Sequence, residues 1–182
     1  MPSGQTHDSI TLWTLPIVAG GTFGLTQSGN LTLLISGGFL FSGLMFGPDL
    51  DIHSKQYKRW GILRWIWLPY RKSLRHRSLF SHGFVVGTIG RILYLTLWAG
   101  IFGGVGVLGL SIVQQGLGMV SDWQVSAQQS AVGSLGWVVR SLRSHPMEWV
   151  ALVVGFELGA MSHSVSDWTG SAIKRWKKRR RR

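Results

Sequence analysis

The chain contains no cysteine, only seven acidic residues and little charge of either sign. Without thiols, disulfides and thiolate metal sites are excluded, so any bound metal must be held by His, Asp or Glu. The acids are Asp8, Asp49, Asp51, Asp122, Glu148, Glu157 and Asp167, set against 19 Lys and Arg for a formal charge of +12. Charged residues make up 14% of the 182, where a soluble domain carries about a quarter. With 25 glycines and 10 tryptophans in addition, this composition points to lipid as part of the solvent. A removable secretory leader is not expected. The start MPSGQTHDS has no basic region, and hydrophobicity returns three more times downstream.

Four apolar runs supply what a soluble core would not need. They are Ile10 to Gln27, Leu31 to Gly47 after the turn-like Ser28–Asn30, Gly83 to about Val113, and Glu148 to His163 with room to extend through Trp168. A bilayer span takes about 20 apolar residues, so the expected fold is all-α: an integral membrane bundle of about four spans. Charge sets its orientation. Lys55, Lys58, Arg59, Arg64, Arg71, Lys72, Arg75 and Arg77 crowd the segment between the second and third runs, and the tail KRWKKRRRR is cationic at all but Trp176. The Ser28–Asn30 turn is uncharged, and Gln114 to Met147 offers only Arg140, Arg143 and Asp122. Four spans and the positive-inside rule then put both termini and the basic loop in the cytoplasm. Residues 1–170 form the expected helical metal-binding domain and 171–182 a basic cytoplasmic tail.

Tyr57, Trp60, Trp65, Trp67 and Tyr70 alternate with cations in the basic loop, which suits a segment at headgroup level facing anionic lipid; the alternative is burial of the rings against the bundle. The Arg-rich tail has the composition to neutralise nucleic-acid phosphates, but membrane topology and anionic lipid account for it, so lipid is the expected partner and nucleic acid is not. A protein partner within the membrane is compatible with the same surfaces. Arg91 is an awkward cation in the third run, expected to snorkel at the interface beside a span from Ile92 to Val113. Glycines at 100, 103, 104, 106, 109, 155 and 159 are read as smooth surfaces for helix packing. Glu157, well inside the fourth run, is expected to act as an outer partner of the polar site or to pair with Arg91.

The rare polar residues collect on the predicted cytoplasmic side, at THD (6–8), GPDLDIHS (47–54), RHRSLFSHG (75–83) and SHSVSD (162–167). These groups hold five of the six histidines and four of the seven acids, leaving His145 as an interfacial loop residue on the other side. Imidazoles and carboxylates without thiolates favour Zn, with Mn or Fe as alternatives. His163 and Asp167, four apart, share a helix face. Asp49 and Asp51, two apart, point to one side if Pro48 ends the helix in an extended turn. His76 and His82, six apart, fit a loop and a helix start. Blander readings stand beside these: Asp8 as an N-terminal cap of the first helix, Asp49 and Asp51 as surface ion pairs, and His53 as a plain loop residue.

The ordered set His7, PDLD, HRS, SH, SH and Asp167 resembles small membrane proteins known as uncharacterised metal-binding proteins. It is similar, more distantly, to the membrane-bound metal-dependent hydrolases, whose pattern has an early His, a PD-x-DH turn, an HR-x-x-x-HS element and a late H-x-x-x-D. Ile52 stands where that pattern has His, with His53 one place later, and Gly83 stands where it has Ser. The resemblance spans roughly Thr6 to Asp167 and implies His7, Asp49, Asp51, His76, His82, His163 and Asp167 as metal ligands. A still more distant likeness in ligand order, to zinc phospholipase C and the zinc single-strand nucleases, implies two or three zinc ions and phosphodiester cleavage; one to three divalent ions are expected.

Two expectations of different class follow. One is a membrane-embedded metal-dependent hydrolase acting on a phosphoester or lipid-like substrate at the cytoplasmic face, with Asp51 accepting a proton and Arg75 or Arg77 holding phosphate. The other is a non-catalytic membrane protein in which metal pins the helix ends, serving as a scaffold or an assembly and interaction subunit.

Overall fold

A computed structural model describes residues 4–76 and 78–180. Among the described residues there are helices and turns and no strand. The four longest apolar helices are α1 (Gly4–Thr26), α2 (Gly29–Leu44), α6 (Val86–Gly116) and α8 (Pro146–Arg180). All four lie in segments long and apolar enough to cross a membrane, the second of which reaches Asp51. Their apolar side chains are widely exposed, Trp13 of α1 to 82%, which costs free energy in water and none in lipid.

The chain folds into two compact units, residues 1–91 with 147–182, and residues 92–146. In the first, α1 reverses into α2 through Gln27 at φ 51°, and the Ser28 side chain caps α2 by accepting from the Leu31 N–H. A 3₁₀ turn, Pro48–Asp51, follows, then α3 (Lys55–Arg59), a 3₁₀ segment Gly61–Trp67, α4 (Leu68–Ser73) and α5 (Leu79–His82). In the second, the distal part of α6 turns into α7 (Trp123–Ser144), whose first turn is capped by Asp122 accepting from the Gln124 N–H at 2.7 Å. The connection from Gln114 to Met147 is therefore largely helix.

A helix leaves its last carbonyls without partners, and α2 has these met by side chains from the basic loop. Gln56 Nε2 donates to Gly43 O, Arg59 Nη1 to Leu44 O and Trp60 Nε1 to Met45 O, each at 2.8 Å. Beneath them Phe46, Leu50 and Trp67 are fully enclosed, with Phe46 5.8 Å from Trp67 and 5.5 Å from Phe156 between ring centroids. The burial alternative thus holds for Tyr57, Trp67 and Tyr70, while Ile62, Leu63, Trp65 and Leu68 stay exposed on the outer face.

Helix α8 approaches α2 backbone to backbone. Ala151, Gly155, Gly159, His163 and Asp167 are all buried and each is four residues from the next, so they form one stripe along the helix. A Cβ on Gly159 would stand 2.5 Å from Phe39 O and 2.8 Å from Gly43 N, and one on Gly155 would meet Ile35 O. The packing expected of these two glycines is present. Those at 100, 103, 104, 106 and 109 have nothing within 4 Å of the same position, so their smoothness is not used among the described residues.

Two local expectations are corrected. Arg91 does not snorkel and lies inside α6, whose described start is Val86: it is 1% exposed, with Nη1 donating to Ser81 O at 2.8 Å and Nη2 to Thr88 Oγ1 at 2.9 Å. A guanidinium this deep persists because protein acceptors replace water. Asp8 is no cap, because α1 already runs from Gly4; it binds Arg59 through two hydrogen bonds of 2.9 and 2.7 Å and sits 3.6 Å from Lys55. Glu157 accepts from the Val85 N–H at 2.9 Å, beside the left-handed φ of 62° at Val85. Helix α8 continues without a break through the basic tail to Arg180.

Candidate metal centre

Side chains from five places meet in the first unit: His7 from α1, Asp49 and Asp51 from the 3₁₀ turn, His76 from the loop before α5, His82 from α5, and His163 and Asp167 from α8. They form two groups. Asp49, His82, His163 and Asp167 each offer a donor atom within 4.8 Å of the others, and so do Asp51, His76 and His82. His82 belongs to both, with Nε2 3.7 Å from Asp49 Oδ1 and Nδ1 3.9 Å from Asp51 Oδ2.

The 3₁₀ turn explains the division. Asp49 and Asp51 were expected to face one side of an extended turn; instead Pro48 opens a turn with three residues per revolution, so positions two apart point about 120° away from each other. Asp49 faces His163, with Oδ2 3.3 Å from Nε2, while Asp51 accepts from His76 Nδ1 through both oxygens, at 3.0 and 3.1 Å. Among the described residues both are paired with histidines and not with the neighbouring cations.

His7 joins the first group. Its ring stacks on His163 at 3.9 Å between centroids, and its Nε2 lies 3.3 Å from Asp167 Oδ1. The Ser166 hydroxyl donates to His163 O at 2.8 Å, so its oxygen accepts from His7 Nδ1 at 2.7 Å. In a neutral ring this leaves the lone pair on Nε2, aimed at a carboxylate. A cation between the two relieves that repulsion. Anchoring the far nitrogen of a histidine in this way is the usual outer support of a metal ligand.

The donor atoms fit a divalent ion on a second observation. His163 is 4% exposed, yet neither ring nitrogen has a hydrogen bond, and Asp49 Oδ1 and His82 Nε2 are also buried without one. Buried polar atoms are nearly always paired, and several converging unpaired nitrogens and oxygens match imidazole–carboxylate coordination. A cavity of about 220 Å³, lined in part by His7, Asp49, Gln56, His163 and Asp167, adjoins them.

Of the other residues singled out in the sequence, Arg75 is exposed and offers its carbonyl to Ser78 and Ser81, His53 is exposed against the Tyr57 ring, and Arg77 lies outside the described residues. Ser166 and Ser81, the latter 3.0 Å from His82 Nδ1, were not anticipated. Their signal was adjacency: each immediately precedes a ligand candidate, in SD and SH.

Comparison with known proteins came to three findings. A family model described as "Uncharacterized metal-binding protein (DUF2227)" matches residues 2–177. An uncharacterized protein of Aquifex aeolicus (strain VF5) is 37% identical over 59 residues, which are 32% of this chain and 41% of that relative, so the chain spans about two fifths of the relative's length. No solved structure matches.

Proposed function

From the premise that the chain belongs to this family of uncharacterized metal-binding proteins, we propose that it is a membrane-embedded, metal-dependent hydrolase of phosphoesters working at the cytoplasmic helix ends. The observation that supports this most is the set of buried, unpaired donor atoms on Asp49, His82 and His163. With His7 and Asp167 they would hold one divalent ion, of which zinc suits the donors best; Asp51 and His76 would hold a second, because a neutral His82 ring has one lone pair and serves one ion. When bound, such ions make water acidic enough to attack at neutral pH and draw charge from a phosphoryl oxygen.

The chain's own groups do the rest. Asp51 accepts the Nδ1 proton of His76 in a hydrogen bond and so fixes the ring, and the Asp51 carboxylate is the group that takes up the proton released on attack. Arg75, exposed on the loop before α5, holds a phosphate oxygen, with Arg77 as its partner in that role. Embedding in a membrane with both termini cytoplasmic is supported by the four long apolar helices and by the crowding of cations between Lys55 and Arg77 and in the tail. Anionic headgroups are then the partners of the basic loop and tail.

Metal analysis of the detergent-purified chain, followed by hydrolysis of bis(p-nitrophenyl) phosphate with added Zn or Mn, tests the reading. At least one tight ion per chain and metal-dependent turnover are expected. Unchanged metal content in a His76→Ala, Asp51→Ala double variant removes the second ion from the scheme. A structural reading is favoured by a different observation, that the ligands come from α1, the 3₁₀ turn, α5 and α8 and so tie distant segments together. Loss of folding on chelation, with no phosphoesterase activity under any divalent metal, selects it.

A further inference from the structure

A second cavity, of about 560 Å³, lies in the same unit against the cluster and shares Asp167 with the first. Its lining includes the candidate ligands His82 and Asp167, the apolar side chains Phe84, Val165 and Trp168, and one cation, Arg175. The apolar three are 53%, 44% and 69% exposed, so this wall stands open. Ser164, Trp168, Ser171 and Arg175 line it at spacings of four, three and four, one face of α8, and the run from Ser164 to Arg175 covers about 16 Å. The cavity beside Gly4, Asp8, Lys55 and Gln56 is smaller and ringed by polar groups. The cluster therefore has one polar approach and one apolar one.

We infer that the cleft between Phe84 and Trp168 binds the substrate, and that the substrate is an amphiphile: a phosphate-ester head set against His82 and Asp167, with an apolar tail along Phe84, Val165 and Trp168. This rests on the phosphoesterase reading given above. Charge and surface together select the occupant. Arg175 supplies a cation for an anionic head, while the Phe84, Val165 and Trp168 side chains present mostly apolar surface, which gains from covering a hydrocarbon chain. A soluble phosphoester would leave the apolar wall in water; a lipid phosphate arriving from the bilayer covers it.

The test uses the full-length, metal-loaded chain in phosphatidylcholine bilayers with an alkyl phosphate carrying a diazirine in its tail. After photolysis, the label is expected on peptides containing Phe84 or Val165 and Trp168. Unlabelled dodecyl phosphate should compete about tenfold better than inorganic phosphate or dodecyl trimethylammonium, the former lacking the tail and the latter the head. Trp168→Ala should cut specific labelling about tenfold and Trp168→Phe restore it, while Arg175→Gln weakens competition by dodecyl phosphate; both positions are exposed, and the three variants should leave metal content unchanged. Label confined to other peptides, or undiminished in Trp168→Ala, overturns the proposal. Equal competition by inorganic phosphate overturns the lipid source and leaves a soluble phosphoester. Metal content measured on the same samples separates the two readings: a wild-type chain without metal that still labels at Trp168 sinks the hydrolase, whereas a metal-loaded chain that does not label sinks the cleft.

Discussion

The two groups that share His82 differ in how far they are complete without an ion. Around Asp51 the bonds are made: both carboxylate oxygens are engaged by His76, and His76 is partly open to solvent. Around Asp49 they are not: His163 is enclosed with neither nitrogen in a hydrogen bond, and the Oδ1 of Asp49 and Nε2 of His82 are buried without one. A group already paired loses hydrogen bonds when it takes a cation, and one left unpaired gains. The Asp49 group should therefore fill first and tightly, and the Asp51 group later and weakly.

Four substitutions press on that difference. The largest effect is expected of His163→Ala, which removes a buried ligand of the first group: tight metal, read by elemental analysis after dialysis, should fall by more than the roughly 10–100-fold that an outer-sphere change costs. Survival of the tight ion would reverse the ranking. Next is Gly159→Ala, which forces α8 off the α2 backbone and should cost about 1–3 kcal/mol of stability. Thermal melts with and without chelator should show it, with the first group's metal weakened and the Asp51 group's spared, since neither Asp51 nor His76 is on α8. Asp51→Asn is its mirror image. A competition titration should find the second ion weakened by at least the roughly 10–100-fold of an outer-sphere change and the first nearly unchanged; equal losses at both would make the two groups one site. Asp8→Asn touches neither group. Its partly exposed pairing with Arg59 and Lys55 should be worth about 0.2–1 kcal/mol, with metal content constant.

Length, hydropathy and the segregation of rare polar residues made the four long helices legible from the sequence, along with the gathering of Asp49, His82, His163 and Asp167. The spacing of His163 and Asp167 was informative because a helix keeps residues four apart on one face. The spacing of Asp49 and Asp51 misled, because a separation of two means one side in an extended turn and divergence in a 3₁₀ turn, and Pro48 is compatible with both. Asp8 was misread for a different reason. Its partner Arg59 lies 51 residues away, and one sequence offers no periodicity that links them. Arg91 was misplaced because a cation in an apolar run looks the same whether it reaches for headgroups or for a buried carbonyl such as that of Ser81.

Ala151, Gly155, Gly159, His163 and Asp167 form one continuous stripe, and the residues without side chains set how close the residues with ligand atoms can come to Asp49. The helix pair is thus a caliper whose jaws are the two carboxylates and whose screw is Gly159, about 6 Å below His163 along the axis. A caliper discriminates by size. The preference of the centre among cations of different radius would then be written partly in the spacing between two backbones, at a position that never touches the ion.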